Sequence, residues 1–252
     1  MLSLFLVLIS GCSDSTVEDI NTGDFGYDYY PLEVGRSYFY EVDSVIFRQG
    51  TGERALRDSS RTLFREVIVD TLRDNTGALV YRIERYERPD EQSPWQITKV
   101  LTASRNATQA LRTEDNLRFI KLVFPLRTGK EWDGNRFLSG TVNFEGSTSS
   151  VNIFKDWQDY RVEAVGQPET VAGQAYDEVT TVLQTEFESA TDWRYAKEQY
   201  AKGIGLVYRE WQILHTQCKL CCEMDFSDCI SLTWEEKVED GFTLKQRLLR
   251  YE

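Results

Sequence analysis

From residue 29 onward the chain is a succession of short segments rich in Val, Ile, Phe, Tyr and Thr, divided by turns containing Gly, Asn, Asp or Pro. β-branched and aromatic side chains suit the half-buried surface of a pleated sheet, and strand-length runs recurring every ~8–12 residues mark an all-β fold. Residues 37–47, 62–72, 79–86, 95–104, 117–124, 137–145, 159–165, 176–187, 193–201, 204–214, 230–238 and 242–251 read as strands, although the first half of 62–72 also suits a helix. Asp74-Asn75-Thr76-Gly77, Lys202-Gly203 and Asp240-Gly241 supply turn chemistry. Gly166-Gln167-Pro168 and Val171-Ala172-Gly173 read as further turns, and residues 49–60 as a polar loop.

A sheet of that many strands must curl, split into two layers or close on itself. The expected fold is therefore all-β: a single antiparallel meander sheet, strongly curled or barrel-like, of half-barrel or lipocalin-like form, with few short helices. It occupies residues 29–252 as one β domain with a Cys-rich insertion at about 215–230. Residues 176–187 show the cleanest two-residue alternation, with Tyr176, Val179, Thr181, Leu183, Thr185 and Phe187 opposed to Glu178, Thr180, Gln184 and Glu186. The flanks of the insertion, 208–214 and 230–238, are expected to form the two arms of one hairpin.

The formal net charge of −12 argues against a general nucleic-acid binder. An aromatic content of 13% argues for ordered structure, because disordered acidic chains are poor in such residues. Five cysteines are distributed unevenly: Cys12 stands alone, and Cys218, Cys221, Cys222 and Cys229 crowd into one segment. In an oxidising compartment four clustered cysteines are expected to form two local disulfides, with direct bonding of Cys221 to Cys222 the least favoured of the three pairings. A weaker alternative is a metal site built from His215, Cys218, Cys221, Cys222 and Cys229, since Zn²⁺ favours four Cys or His donors. The spacing is not that of a known finger.

Near the start, Leu2 to Ile9 form a short apolar run ending in Ile9-Ser10-Gly11-Cys12, followed at once by polar Ser13-Asp14-Ser15. The run is far shorter than the ~20 residues that span a bilayer, and it matches the apolar core of a signal peptide. It resembles the lipobox of bacterial lipoproteins, although no Lys or Arg precedes the apolar run. The resemblance implies that residues 1–11 are a signal peptide and that Cys12 carries the lipid. It also implies that residues 12–28 tether the anchor to the domain, and that the protein meets the membrane through its N-terminal lipid. Tyr30-Pro31-Leu32-Glu33-Val34-Gly35, the run from Tyr200 through Gly203-Ile204-Gly205 to Tyr208, and the closing Gly241-Phe242-Thr243-Leu244 strand resemble uncharacterised Bacteroidota-type cell-envelope lipoproteins. That likeness implies a cell-envelope location, with the lipid anchor expected in the outer membrane on either face, and assigns no activity and no functional residue.

Catalytic constellations are not recognisable. His215 is the sole histidine, and neither a Gly-x-Ser-x-Gly elbow nor a P-loop occurs. Gly203-Ile204-Gly205 is too short for a dinucleotide fingerprint. Carboxylate pairs such as Asp225/Asp228 and Glu235/Glu236 are what an acidic surface supplies in any case. Trp95, Trp132, Trp157, Trp193, Trp211 and Trp234 are expected chiefly in the core, with a sugar-stacking platform or an apolar pocket as the alternatives. The reading is of a non-enzymatic binding or structural module with no catalytic residue and no cofactor. Its partners would be an apolar ligand held in the curled sheet, a glycan, or another envelope protein.

Overall fold

The computed structural model describes residues 25–252 apart from 51, 53, 145–150, 172 and 224. The lipobox-like segment, Cys12 and tether residues 13–24 lie outside the described residues.

Twelve strands make one antiparallel sheet. They are β1 (Ser37–Arg48), β2 (Leu56–Arg73), β3 (Leu79–Arg88), β4 (Gln96–Arg105), β5 (Gln109–Glu114), β6 (Leu117–Val123), β7 (Glu131–Trp132), β8 (Tyr160–Val171), β9 (Gln174–Glu188), β10 (Asp192–Ala201), β11 (Gly205–His215) and β12 (Asp240–Tyr251). The helices α1 (Lys219–Cys222), α2 (Phe226–Ser231) and α3 (Trp234–Lys237) all lie between β11 and β12. Strands pair with their sequence neighbours, and β1 also pairs with β12. The order is thus that of an up-and-down barrel opened at a single seam between β6 and β7. The seam is nearly closed: Ile120 N donates to Gly134 O at 2.9 Å, and Trp132 Nε1 donates to Ile120 O at 2.9 Å.

Eight strands make a barrel that side chains just fill, and diameter grows with strand number. Twelve strands enclose more volume than one alternating set of apolar side chains can occupy, and three features divide that space. One end is plugged by residues 25–32. The 3-10 turn Tyr27–Tyr29 anchors there, with Arg105 Nη1 donating to Tyr30 O at 3.0 Å and Gly203 N donating to Asp28 O at 2.8 Å. Residues 25–28, read from sequence as tether, are therefore folded against the barrel. Next to the plug lies an apolar layer that includes Ile68, Ile83, Ala103, Val207 and Leu248, all buried. Beyond it come a layer of charge and an open cavity, described below.

Several sequence expectations are corrected. Of the expected strand 137–145, residues 137–144 are described and form none; their only sheet contact is an isolated bridge between Asn143 and Asn152. Phe144 instead leaves the sheet and packs on Phe242 at 4.7 Å between ring centres. Residues 230–238 are helical rather than a hairpin arm, because the Thr233 and Glu236 side chains form a reciprocal capping box at α3 and Asp225 caps α2. The hairpin arms are β11 and β12. Asp240-Gly241 opens β12 and is not a turn, Gly241 pairing with Leu214 of β11 and Phe47 of β1. The expected loop at 49–60 is cut short because β2 begins at Leu56. β8 runs through residues 166–168 with register irregularities instead of turning there. β9 is buried on both faces from Val179 to Thr185, so its polar face, including Thr180 and Gln184, is not solvated. The short strand β5 was not anticipated.

Candidate functional site

Six strands place a charged residue in phase with apolar neighbours on the inward face of the sheet. Phe64, Glu66 and Ile68 of β2 alternate inward, as do Ile83 and Arg85 of β3 and Ala110, Arg112 and Glu114 of β5. Phe119 and Lys121 of β6, Glu198 and Tyr200 of β10, and Val207, Arg209 and Trp211 of β11 follow the same two-residue rule. Strand register brings opposite charges face to face: Glu66 lies opposite Arg85, and Glu198 opposite Arg209.

The result is a continuous ion network inside the barrel. Arg85 Nη2 donates to Glu66 Oε1 at 2.7 Å, and its Nη1 lies 2.7 Å from Glu114 Oε1. Arg112 Nη2 also reaches Glu66 Oε1, at 2.6 Å, and Arg112 Nε lies 3.4 Å from Glu114 Oε2. Arg209 joins the two halves: its Nε donates to Glu198 Oε1 at 2.8 Å and its Nη1 lies 3.7 Å from Glu114 Oε2. Lys121 Nζ donates to Glu198 Oε1 at 2.6 Å, and Tyr200 OH donates to Glu198 Oε2 at 2.6 Å. Arg85 also sits over the Phe64 ring at 4.8 Å and Lys121 over Phe119 at 5.5 Å.

Burial alone would raise the Glu198 carboxyl, but the charges of Lys121 and Arg209 outweigh it and hold the group down at about 2. Glu114 is likewise pushed up by burial and pulled well below the ordinary carboxylate range by Arg85, Arg112 and Arg209. For Lys121 burial wins over its partner, and the ammonium is brought down to about 8.

Above this layer opens a cavity of about 350 Å³. Its wall carries Phe64, Phe119, Phe144, Phe154, Trp211 and Phe242, and its floor presents Arg85, Arg112, Arg209, Lys121 and Glu114. Phe154 packs edge-on to Trp157 at 4.8 Å and to Trp211 at 6.2 Å, so the segment between β7 and β8 contributes to the wall. Such a volume lies within the ~300–1,000 Å³ of small-molecule sites, and the combination of apolar wall with a few convergent polar groups is the usual form of one.

The residues singled out from sequence lie elsewhere. Cys218 pairs with Cys229 at an S–S distance of 2.04 Å, both fully buried. Cys221 pairs with Cys222, the combination ranked last from sequence. Pairing of the buried Cys218 with Cys229 leaves these neighbours side by side in α1. Cys221, Cys222 and Cys229 bring their sulfurs within 4.8 Å of one another. His215 turns away from them and places Nδ1 2.9 Å from Asp192 Oδ1. Asp225 caps α2 and Glu236 belongs to the capping box, so these acids serve the insertion's fold. Trp132 and Trp234 are buried as expected, Trp234 donating Nε1 to Glu188 at 2.7 Å to dock the insertion on the barrel. Trp211 is the tryptophan that lines the cavity. The charged layer was missed from sequence. Its signal was present in the charges that share phase with apolar residues at 64–68, 83–85, 110–114 and 207–211.

No family model matches the chain, and no curated protein matches it. Solved structures similar to the chain include the following two. One, from Bacteroides fragilis, is described as an exported protein with a YmcC-like fold; it is 11% identical, with a TM-score of 0.43, over 88% of this chain and 98% of that one. The other, from Parabacteroides distasonis, is described as a lipoprotein; it is 7% identical, with a TM-score of 0.43, over 89% of this chain and 98% of that one.

Proposed function

We propose that this protein is a non-enzymatic, lipid-anchored module of the cell envelope that holds an apolar or amphipathic ligand in the open end of its barrel. The observation that carries the reading is the cavity of about 350 Å³ with its six-ring wall. Apolar surface left open in this way gains about 25 cal/mol per Å² when a ligand covers it. The anchor rests on Ile9-Ser10-Gly11-Cys12, where two or more acyl chains on one cysteine make a durable attachment to the outer membrane. Residues 25–32 plug the end of the barrel opposite the cavity, so an anchor at Cys12 would join the barrel at that end.

The test is binding of the neutral fluorophore N-phenyl-1-naphthylamine to the full chain. Saturable one-site binding is expected, with emission excited by energy transfer from Trp211. Trp211→Ala and Phe154→Ala should each weaken it by about tenfold, the equivalent of ~1.4 kcal/mol of lost aromatic contact. Absence of saturable binding, or equal binding by wild type and both variants, would overturn the carrier reading.

A further inference from the structure

The cavity floor is not electrically balanced. Arg85, Arg112, Arg209 and Lys121 supply four positive charges to the layer, and Glu66, Glu114 and Glu198 supply three negative ones. The arrangement also has a direction. Glu66 and Glu198, 3% and 0% exposed, do not line the cavity, whereas all four cations and Glu114 do. Lys99 pairs with Asp115 at 2.6 Å toward the mouth, where Glu87 adds a carboxylate. Positive charge is thus concentrated at the floor and negative charge toward the mouth, with aromatic rings on the wall between them.

Burying cations beneath an apolar cavity is costly unless they are paired. The excess cation is best placed at Lys121. Its ammonium has three donors, and among the described residues its side-chain hydrogen bond goes to Glu198 Oε1, an acceptor it shares with Arg209 Nε. A ligand bearing one anionic oxygen group would complete the layer to charge neutrality and accept from the ammonium, while its apolar part lay along the rings. Charge-assisted hydrogen bonds of this kind are about twice as strong as neutral ones.

Building on the carrier reading, we infer that the cavity selects an amphiphile with a single oxyanion head, carboxylate or phosphate, whose head sits on the Arg112–Arg209–Lys121 floor and whose chain lies against Phe119, Trp211 and Phe242. A lipid-derived acid supplies that single charge, and a lipid-derived phosphate monoester offers the same oxyanion contacts with up to one further negative charge at pH 7. A neutral or cationic amphiphile of the same length would leave the excess charge unpaired.

The test is displacement of bound N-phenyl-1-naphthylamine from the full chain by dodecanoate, dodecyl phosphate, dodecanol and dodecyltrimethylammonium at pH 7. At least one anion should displace the probe at a concentration tenfold or more below dodecanol, with the ammonium compound weakest. Tighter dodecanoate points to a fatty acid, and tighter dodecyl phosphate to a phosphate monoester. Lys121→Met should bring the better anion to within about twofold of dodecanol.

A second measurement needs no variant. Burial lowers Lys121 to about 8, and the groups around it are Glu198, Arg209 and Arg112, with Tyr200 and Tyr160 held protonated by burial. Dodecanoate stays ionised throughout, so its affinity should fall about tenfold between pH 7 and about pH 9.5, with dodecanol unaffected. Dodecanol equal to or tighter than both anions, or a dodecanoate affinity flat across that range, would overturn the inference even where the probe binds. Failure of the probe itself would overturn the carrier reading instead.

Discussion

Glu198→Leu is expected to destabilise the folded protein by roughly 3–5 kcal/mol, the range found when one partner of a buried ion pair is removed. Glu198 is fully buried, and its two carboxylate oxygens accept from Lys121, Arg209 and Tyr200. Leucine would fill much of the same volume, so the loss comes from two cations and a hydroxyl left in the barrel without their acceptor. Urea denaturation of the full chain measures it. Glu198→Gln, which keeps an acceptor but not the charge, should cost less, and adding Lys121→Met to Glu198→Leu should recover part of the loss because one orphaned charge has gone. A loss below ~1 kcal/mol for Glu198→Leu would show that water or rearranged partners satisfy the layer.

The same layer sets the acid limit of the fold. Burial raises the Glu66, Glu114 and Glu198 carboxyls, but their Arg and Lys partners outweigh it, and each is held below its ordinary value of 4.5. A depressed carboxyl contributes stability that is fully present above the unfolded value and is lost as the folded value is passed. Thermal midpoints followed by circular dichroism should therefore hold above pH 5 and fall steeply from about pH 4.5 toward about 2. A midpoint unchanged down to pH 2 would count against the network as drawn.

Gly241→Ala should be the most damaging small substitution on β12, costing about 3 kcal/mol or more through overpacking added to backbone strain. A Cβ there would lie 2.0 Å from Ile213 O and 3.1 Å from Leu214 Cα, both backbone atoms of the paired strand, and φ at Gly241 is +122°. The ladder cannot yield locally, because Gly241 is held between β11 and β1. The next residue is Phe242, so the strand must shift where it forms the cavity wall. Gly203→Ala is the control. Its φ is +73° but a Cβ would meet nothing within 4 Å, so only the left-handed backbone cost of roughly 1–2 kcal/mol applies. Equal losses for the two variants, measured by the same urea titration, would refute the steric account. Hydrogen exchange should show faster opening of β11 and β12 in Gly241→Ala.

Most strands were legible because their side chains alternate over enough residues for the period to show, as at 79–86 and 193–201. The failures have local causes. β5 escaped notice because two of its three inward residues, Arg112 and Glu114, are charged and break the expected apolar alternation. Residues 137–144 carry strand-like composition, but Phe144 packs on Phe242 in the cavity wall instead of joining a ladder. Residues 230–238 contain β-forming Ile230, Thr233 and Val238, yet the capping box at Thr233 and the nearby disulfide favour short helices.

The order of apolar and polar residues along this chain was enough to determine an antiparallel sheet too large to stay flat, because side-chain direction in a strand depends only on sequence parity. It also marked the lipobox-like N-terminus and the cysteine insertion, which are contiguous motifs. Closure and site were decided by tertiary structure alone. The pairing of β1 with β12 joins residues some 200 positions apart, and no local pattern encodes it. Glu66, Arg112, Lys121, Glu198 and Arg209 come from five different strands. On any one strand such a residue looks like an ordinary surface charge, and only the curvature that turns those faces toward a common axis makes them a buried network beneath a cavity.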